Sequence, residues 1–216
     1  MSQLTLVIGN KAYSSWSLRP WLLMKHTGIE FTEKRISLYA GDAKQTILQH
    51  SEAGKVPVLK DGELTIWDSL AICEYLAEKF PGRHLWPADA AARAHARAIS
   101  AEMHSGFTNV RSQMPMNVRR EIPGRGKTPE VAAEVARIEA IWNGCRARHG
   151  NDGPFLFGAF SIADAMYAPV ASRFRTYGVS LKGAAVRYVD TILALPAMLE
   201  WIAGAHAETE VNPQYE

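Results

Sequence analysis

The first thirty-eight residues pass through three hydrophobic periods, and this limits the available folds more than any other feature of the chain. Leu4-Thr5-Leu6-Val7-Ile8 is a short apolar run closed by Gly9-Asn10, which predicts a buried strand. Residues 18–26 are apolar and helix-compatible, and Gly28 suits a helix stop because glycine enters the left-handed conformation freely. Residues 31–38 then alternate, with Ile36 and Leu38 on the face opposite Glu33 and Arg35, as in a half-buried strand. Strand, helix and strand in so short a span predict a βαβ unit with parallel strands.

A hairpin follows. Residues 56–59 and Leu64–Trp67 flank Asp61-Gly62, and Asp-Gly favours a type I′ turn, in which both central residues need positive φ. Between the βαβ unit and the hairpin, residues 39–54 are polar and predict no more than a short helical turn. Asp68-Ser69 opens a helix with Leu70, Cys73, Leu76 (or Ala77) and Phe80 at helical spacing, stopped by Pro81-Gly82. The order βαβ then ββα is that of a thioredoxin-like fold.

After His84-Leu85-Trp86-Pro87, a linker with an apolar anchor, every pattern is helical. Ile99, Met103, Phe107, Val110 and Met114 mark one helix face, and Val131, Val135, Ile138, Trp142 and Cys145 mark another. A Gly- and charge-rich loop over residues 123–129 separates them. Ser161 and Asp164 have capping-box spacing, with Phe160 ahead of them as a hydrophobic staple. Two more helices are expected near 184–195 and 196–206. The expected organisation is an α/β thioredoxin-like domain over residues 1–83, a linker over 84–89 and an all-α domain over 90–216.

Bulk properties exclude several classes of function. A formal charge of +2 gives no field suited to nucleic acid or an anionic membrane, so neither is expected as a partner. Charges break every long apolar stretch, so no membrane span is expected. The start, Met1-Ser2-Gln3-Leu4-Thr5, lacks the basic region and apolar run of a signal peptide. Cys73 and Cys145 are the only cysteines, both in apolar helical patterns, which predicts buried free thiols and a reduced, cytoplasmic setting. No Cys/His cluster has metal spacing, so no metal is expected.

Three short stretches can carry chemistry. Ser14, Ser15 and Ser17 lie between the first strand and the first helix, where serine is a preferred cap. The same position offers free N–H groups and a partial positive charge to an anion. A thiolate there would also gain a hydroxyl hydrogen bond, lowering its pKa, and Arg19 would add positive potential. Val56-Pro57 stands at a strand start, where proline's missing N–H is tolerated. Asp68-Ser69 caps a helix and can also meet a ligand's ammonium and carboxylate. No cysteine precedes Cys73, so a disulfide reductase would lack its thiol at the helix start.

In this order and spacing, Ser14-Ser15-Trp16-Ser17-Leu18-Arg19, Lys55-Val56-Pro57 and Asp68-Ser69 resemble the glutathione site of cytosolic glutathione S-transferases. The resemblance covers both domains, Phe160, Ser161 and Asp164 matching the family's C-terminal folding motif. It is nearest to the serine-type, zeta (maleylacetoacetate isomerase-like) class, whose motif reads Ser-Ser-Cys-Ser-x-Arg. It implies glutathione as co-substrate, thiolate attack on a small electrophile, a cis Val56-Pro57 bond and homodimers. It places the thiolate's hydroxyl on Ser14, with Ser15 as competitor. The glutathione site would comprise Ser14, Ser15, Ser17, Lys55, Val56, Pro57, Asp68 and Ser69. Tyr13, Trp16, His104, Arg111 and Arg173 are the expected lining of the electrophile pocket. Trp16 stands where the zeta motif has Cys, which separates this chain from any isomerase assignment that depends on that thiol. The alternative is a non-catalytic interaction or stress-response module on the same fold.

Overall fold

The structure, a computed structural model, describes residues 3–216. Strand β1 (Leu4–Ile8) lies inside a four-stranded sheet of order β2-β1-β3-β4, with β2 at Thr32–Arg35, β3 at Val58–Asp61 and β4 at Leu64–Trp67. β1 and β2 are parallel, with Val7 opposite Lys34; β3 is antiparallel to both β1 and β4. Leu4, Leu6 and Ile8 join the main core with helices α1 (Ser15–Thr27) and α3 (Ser69–Lys79). Val7 faces the other way and joins Ile36, Ile47 and Val58 in a second cluster with the short α2 (Ala43–Leu48). A strand covered on both faces has no polar side, which is why β1 reads as a run and not an alternation.

Two local expectations need correction. All four residues of β2 are exposed, as suits an edge strand, and Ile36 and Leu38 lie beyond it in the α2 cluster. The hairpin loop is Gly62-Glu63, because Asp61 pairs with Leu64 inside the ladder. Only Gly62 of that loop has positive φ, +57°, the position glycine takes in a type II′ turn. The Asp61 carboxylate accepts from the Tyr75 hydroxyl at 2.5 Å and meets Lys79 Nζ at 2.5 Å, which ties this strand end to α3.

Leu85 and Trp86 are buried, and six helices follow. They are α4 (Ala90–Ser105), α5 (Thr108–Gln113), α6 (Pro129–His149), α7 (Ile162–Thr176), α8 (Ala184–Leu193) and α9 (Pro196–His206). The apolar face running from Ile99 to Met114 is buried throughout, but it belongs to two helices. The break falls at Gly106-Phe107, where Phe107 takes φ +54°. Glu134 of α6 supplies the new start, its carboxylate accepting from Asn109 N at 3.2 Å and Val110 N at 2.7 Å. Phe160 meets His26 of α1 with ring centroids 4.0 Å apart, so it stitches α7's start to the first domain. Cys73 and Cys145 are buried free thiols, and burial pushes Cys145 up to about 12. Among the described residues no single helix is long and apolar enough to cross a membrane.

Helix α7 is the axis of the helical region: every residue but Arg175 is buried. Such a helix needs its first turn satisfied internally. Asp164, 0% exposed, accepts from Leu156 N at 3.1 Å, Ser161 N at 2.9 Å, Ser161 Oγ at 3.1 Å and the Tyr188 hydroxyl at 3.1 Å. Burial pushes its carboxyl up to about 6, against the pull of those donors. Asp164→Ala strands several buried donors at once and should cost about 3 kcal/mol or more in denaturant unfolding.

Candidate functional site

The site is built where β1 turns into α1. Tyr13 N and Ser14 N both donate to Asn10 O, at 3.2 and 2.8 Å, and this turn delivers Ser14 to the N-cap of α1. Ser17 faces inward. Its Oγ accepts from Gly9 N at 3.1 Å and shares a 2.8 Å hydrogen bond with Ser14 Oγ. Ser17 is fully buried and lines no cavity of the site; it supports Ser14 from behind and holds the turn.

Two arginines stand behind the other serines. Arg173 of α7, 4% exposed, donates from Nη2 to Ser15 Oγ at 3.2 Å and from Nε to Met114 O at 2.8 Å. Arg19 of α1, 1% exposed, donates from Nη1 to Ser69 Oγ at 3.4 Å and from Nε to Met166 O at 3.3 Å. Neither guanidinium has a carboxylate in ion-pair contact among the described residues. Burial, and then the neighbouring Arg173, pushes Arg19 down to about 9; burial pushes Arg173 down to about 10. Both stay charged at neutral pH. A serine oxygen that accepts from such a group keeps its own proton for another acceptor.

That space is a pair of neighbouring cavities. The larger, about 700 Å³, is lined by Tyr13, Ser14, Ser15, Trp16, Arg111 and Arg173 among others. The smaller, about 440 Å³, is lined by Trp16, Ala53, Lys55, Val56, Pro57, Trp67, Asp68 and Ser69. Trp16, Lys55 and Val56 border both. The Val56–Pro57 peptide is cis, and Val56 lies just ahead of the paired stretch of β3. Asp68 caps α3 from φ +74°, its Oδ1 accepting from Leu70 N at 2.9 Å and Ala71 N at 3.1 Å.

Trp16 is held by three groups. The Arg19 guanidinium lies 4.1 Å from its ring centroid, that of Arg111 lies 5.5 Å away, and His104 meets it edge-on at 5.3 Å. His104 lines neither cavity and sits behind Trp16. Tyr13 borders the larger cavity with its ring, but its hydroxyl is committed. It donates to Glu216 Oε1 at 2.7 Å and accepts from Asn212 N at 3.1 Å and from Arg119. The returning C-terminal segment also places Tyr215 on the cavity wall. No sequence pattern signals this return, since residues 207–216 carry no hydrophobic period.

Two family models cover most of this framework. "Glutathione S-transferase, N-terminal domain" matches residues 13–79, and "Glutathione S-transferase, C-terminal domain" matches residues 118–204. The chain belongs to the glutathione S-transferase family. Among its relatives, a probable maleylacetoacetate isomerase of Caenorhabditis elegans is 42% identical over 94 residues, 43% of this chain and 42% of that protein. Glutathione S-transferase L2, chloroplastic, of Arabidopsis thaliana is 28% identical over 207 residues, 91% of this chain and 63% of that protein. The matches thus span between two fifths and two thirds of these curated relatives. A glutathione transferase homolog from Burkholderia, solved with bound glutathione, has TM-score 0.67 at 24% identity, covering 95% of this chain and 100% of that one. A glutathione S-transferase from the Antarctic clam Laternula elliptica has TM-score 0.75 at 22% identity, covering 97% and 96%. The small mixed sheet with helices, followed by a helical domain, is therefore the glutathione S-transferase fold.

The inward placement of Ser17 separates support from binding in this transferase framework. Ser17→Ala leaves Gly9 N without its acceptor and should cost about 1–3 kcal/mol of stability, measured by chemical denaturation, while leaving the cavity walls intact.

Proposed function

We propose that this protein binds glutathione across the two cavities and promotes attack of its thiolate on a small electrophile. The observation that carries the reading is the junction of the cavities. On the larger cavity's side stand Ser14 and Ser15, the latter backed by buried Arg173, and on the smaller's a free strand start and a capped helix whose Ser69 is backed by Arg19. In this reading the γ-glutamyl carboxylate meets Ser69 and its ammonium meets Asp68. The cysteinyl backbone runs along Val56 and Pro57, and Lys55 at the shared rim answers a carboxylate. The thiolate then falls beside Ser14 and Ser15 at the start of α1.

The chemistry needs little from the protein beyond position and charge. The thiol loses its proton to solvent, the sulfur forms a bond to the electrophilic carbon, and the displaced electrons leave with a leaving group or enter a conjugated acceptor. A free thiol has a pKa near ~8.5, so lowering it by about two units makes the thiolate dominant at pH 7. The open N–H groups of α1, the Ser14 and Ser15 hydroxyls and the charge of Arg173 all favour the anion. Holding sulfur and carbon together supplies the rest. Tyr13 has no spare hydroxyl bond, which supports a serine as the thiolate's partner.

Trp16 forms an aromatic wall of the larger cavity, with Arg111 and Arg173 as its cationic side. That lining suits a planar or carboxylated electrophile better than a long alkyl one. A reaction that needs a cysteine in place of Trp16 is not part of this proposal. The domain division at residues 83 and 90, a cytoplasmic setting, a detoxifying role and a homodimer complete the reading, the last of these testable by sedimentation.

Ultraviolet titration of the thiolate in the glutathione complex tests the assignment. Ser14→Ala should raise the bound thiol's pKa by about one unit or more and lower turnover more than it lowers glutathione affinity. If Ser15→Ala alone shifts the titration, the two serines exchange roles. If neither variant shifts it, the serine-type mechanism is wrong.

A further inference from the structure

His104 is unlike the other groups around the cavities. It comes from α4, lines neither cavity, and yet reaches the residue proposed to receive the ligand's ammonium. Its Nε2 lies 3.1 Å from Asp68 Oδ2, while Asp68 Oδ1 is occupied by the two α3 amides. A carboxylate only accepts, so the ring proton sits on Nε2 and Nδ1 carries the lone pair. Nδ1 is buried and has no hydrogen-bond partner. The ring's edge rests on Trp16, and its own backbone carbonyl accepts from Arg111 Nη1 at 3.1 Å.

Taken with the proposed glutathione site, on which the inference rests, this geometry assigns His104 a positioning role: it holds the free oxygen of Asp68 toward the smaller cavity and, when protonated, competes with the ligand's ammonium for that oxygen. The neutral ring donates one hydrogen bond and leaves Asp68 its full charge and further lone pairs for the ligand. The protonated ring makes a charged pair with Asp68, and an arriving ammonium must share the carboxylate with a second cation. The site would then be open at neutral pH and closed by acid through one proton on one ring.

The surroundings set where that change falls. Three charged groups from three elements face His104: Asp68 at the cap of α3, Arg19 of α1 and Arg111 of α5. Burial lowers the histidine below its ordinary value, Asp68 raises it, and the two arginines lower it again, for a net lowering. The added proton would have to sit on Nδ1, where no acceptor waits. At pH 7 the ring is therefore neutral, and the 3.1 Å contact with Asp68 is a neutral donor on a carboxylate. Protonation belongs below pH 6.5, a range in which a free thiol stays protonated and free carboxylates stay ionised.

Calorimetry with two ligands decides the point. Both ligands are S-methylated, so that no bound thiol titrates and the thiolate's own pH dependence drops out: one is glutathione in this form, the other its analogue lacking the γ-glutamyl amino group, which has no ammonium to place on Asp68. In the unaltered protein, glutathione affinity should fall roughly threefold or more between pH 7.5 and pH 5, while the analogue's affinity changes little. His104→Gln keeps a donor to Asp68 but cannot titrate. It should bind glutathione at pH 7.5 within about threefold of the unaltered protein and lose the acid dependence. Asp68→Asn provides a second route that leaves His104 in place: it should weaken glutathione at pH 7.5 and also flatten the profile. An acid-dependent loss that persists in folded His104→Gln, or that the amino-free analogue shares, overturns the inference while leaving the glutathione site standing. Failure of the unaltered protein to bind glutathione at pH 7.5 overturns the glutathione reading, and this inference with it.

Discussion

Two buried arginines cross between α1 and α7 in opposite directions, and the site depends on that crossing. Arg19 leaves α1 and bonds Met166 O on α7; Arg173 leaves α7 and bonds Ser15 on α1. Each also ends on a serine of the candidate glutathione site. Charges this deeply buried are costly unless their donors are satisfied, and here carbonyls and hydroxyls do much of that work instead of carboxylates. The result is a joint between sheet domain and helical domain whose two positive charges have no carboxylate in ion-pair contact among the described residues. An anionic ligand is the natural complement to such a joint. The same bonds that hold the helices together thus also orient the hydroxyls and set the local potential.

Trp16 gives this potential its shape. Its ring separates the two cavities, and its electron-rich face receives Arg19 while its neighbours Arg111 and His104 fix its tilt. An indole is too large for the ligand to bypass, so whatever sits in the larger cavity beside the thiolate must stack on it or stop short of it. Behind this wall, Asp68 and His104 link the opposite end of the proposed glutathione site to α4. Three elements after the linker, α4, α5 and α7, therefore bear on a candidate site whose proposed glutathione-binding groups all come from the first seventy residues.

Much of this was legible in the sequence because it rests on local rules. The period changes over the first thirty-eight residues gave β1, α1 and the parallel pairing, and Gly28 stops α1 in the left-handed conformation as expected. Ser161 with Asp164 gave the start of α7, because a capping box needs only four residues to form. Local rules failed where tertiary context intervened. The length of β2 was overstated because alternation cannot reveal that a strand lies at an edge. The apolar face through Phe107 hid a helix break, since a face can stay in register while the backbone does not. Of the site, the serines, Val56-Pro57 and Asp68-Ser69 were visible as motifs. The partners of Ser15 and Ser69 were not: Arg19 is expected from sequence to add positive potential and Arg173 to line the electrophile pocket, and only the packing of α1 on α7 brings their guanidinium groups onto these hydroxyls. Ser17 looks identical to Ser14 and Ser15 in sequence; only its rotation on α1 turns it into the core.

The most direct measurement of the central claim is the pKa of the glutathione thiol bound to folded Arg173→Met. This substitution removes the charge behind Ser15 while keeping much of the side chain's length. If the α7 arginine supplies potential and orientation to the thiolate, that pKa should rise by about one unit or more toward the value of a free thiol near ~8.5. A variant that folds, binds glutathione and titrates its thiol at the same pH as the unaltered protein would contradict the account, and would reduce Arg173 to a brace between two helices.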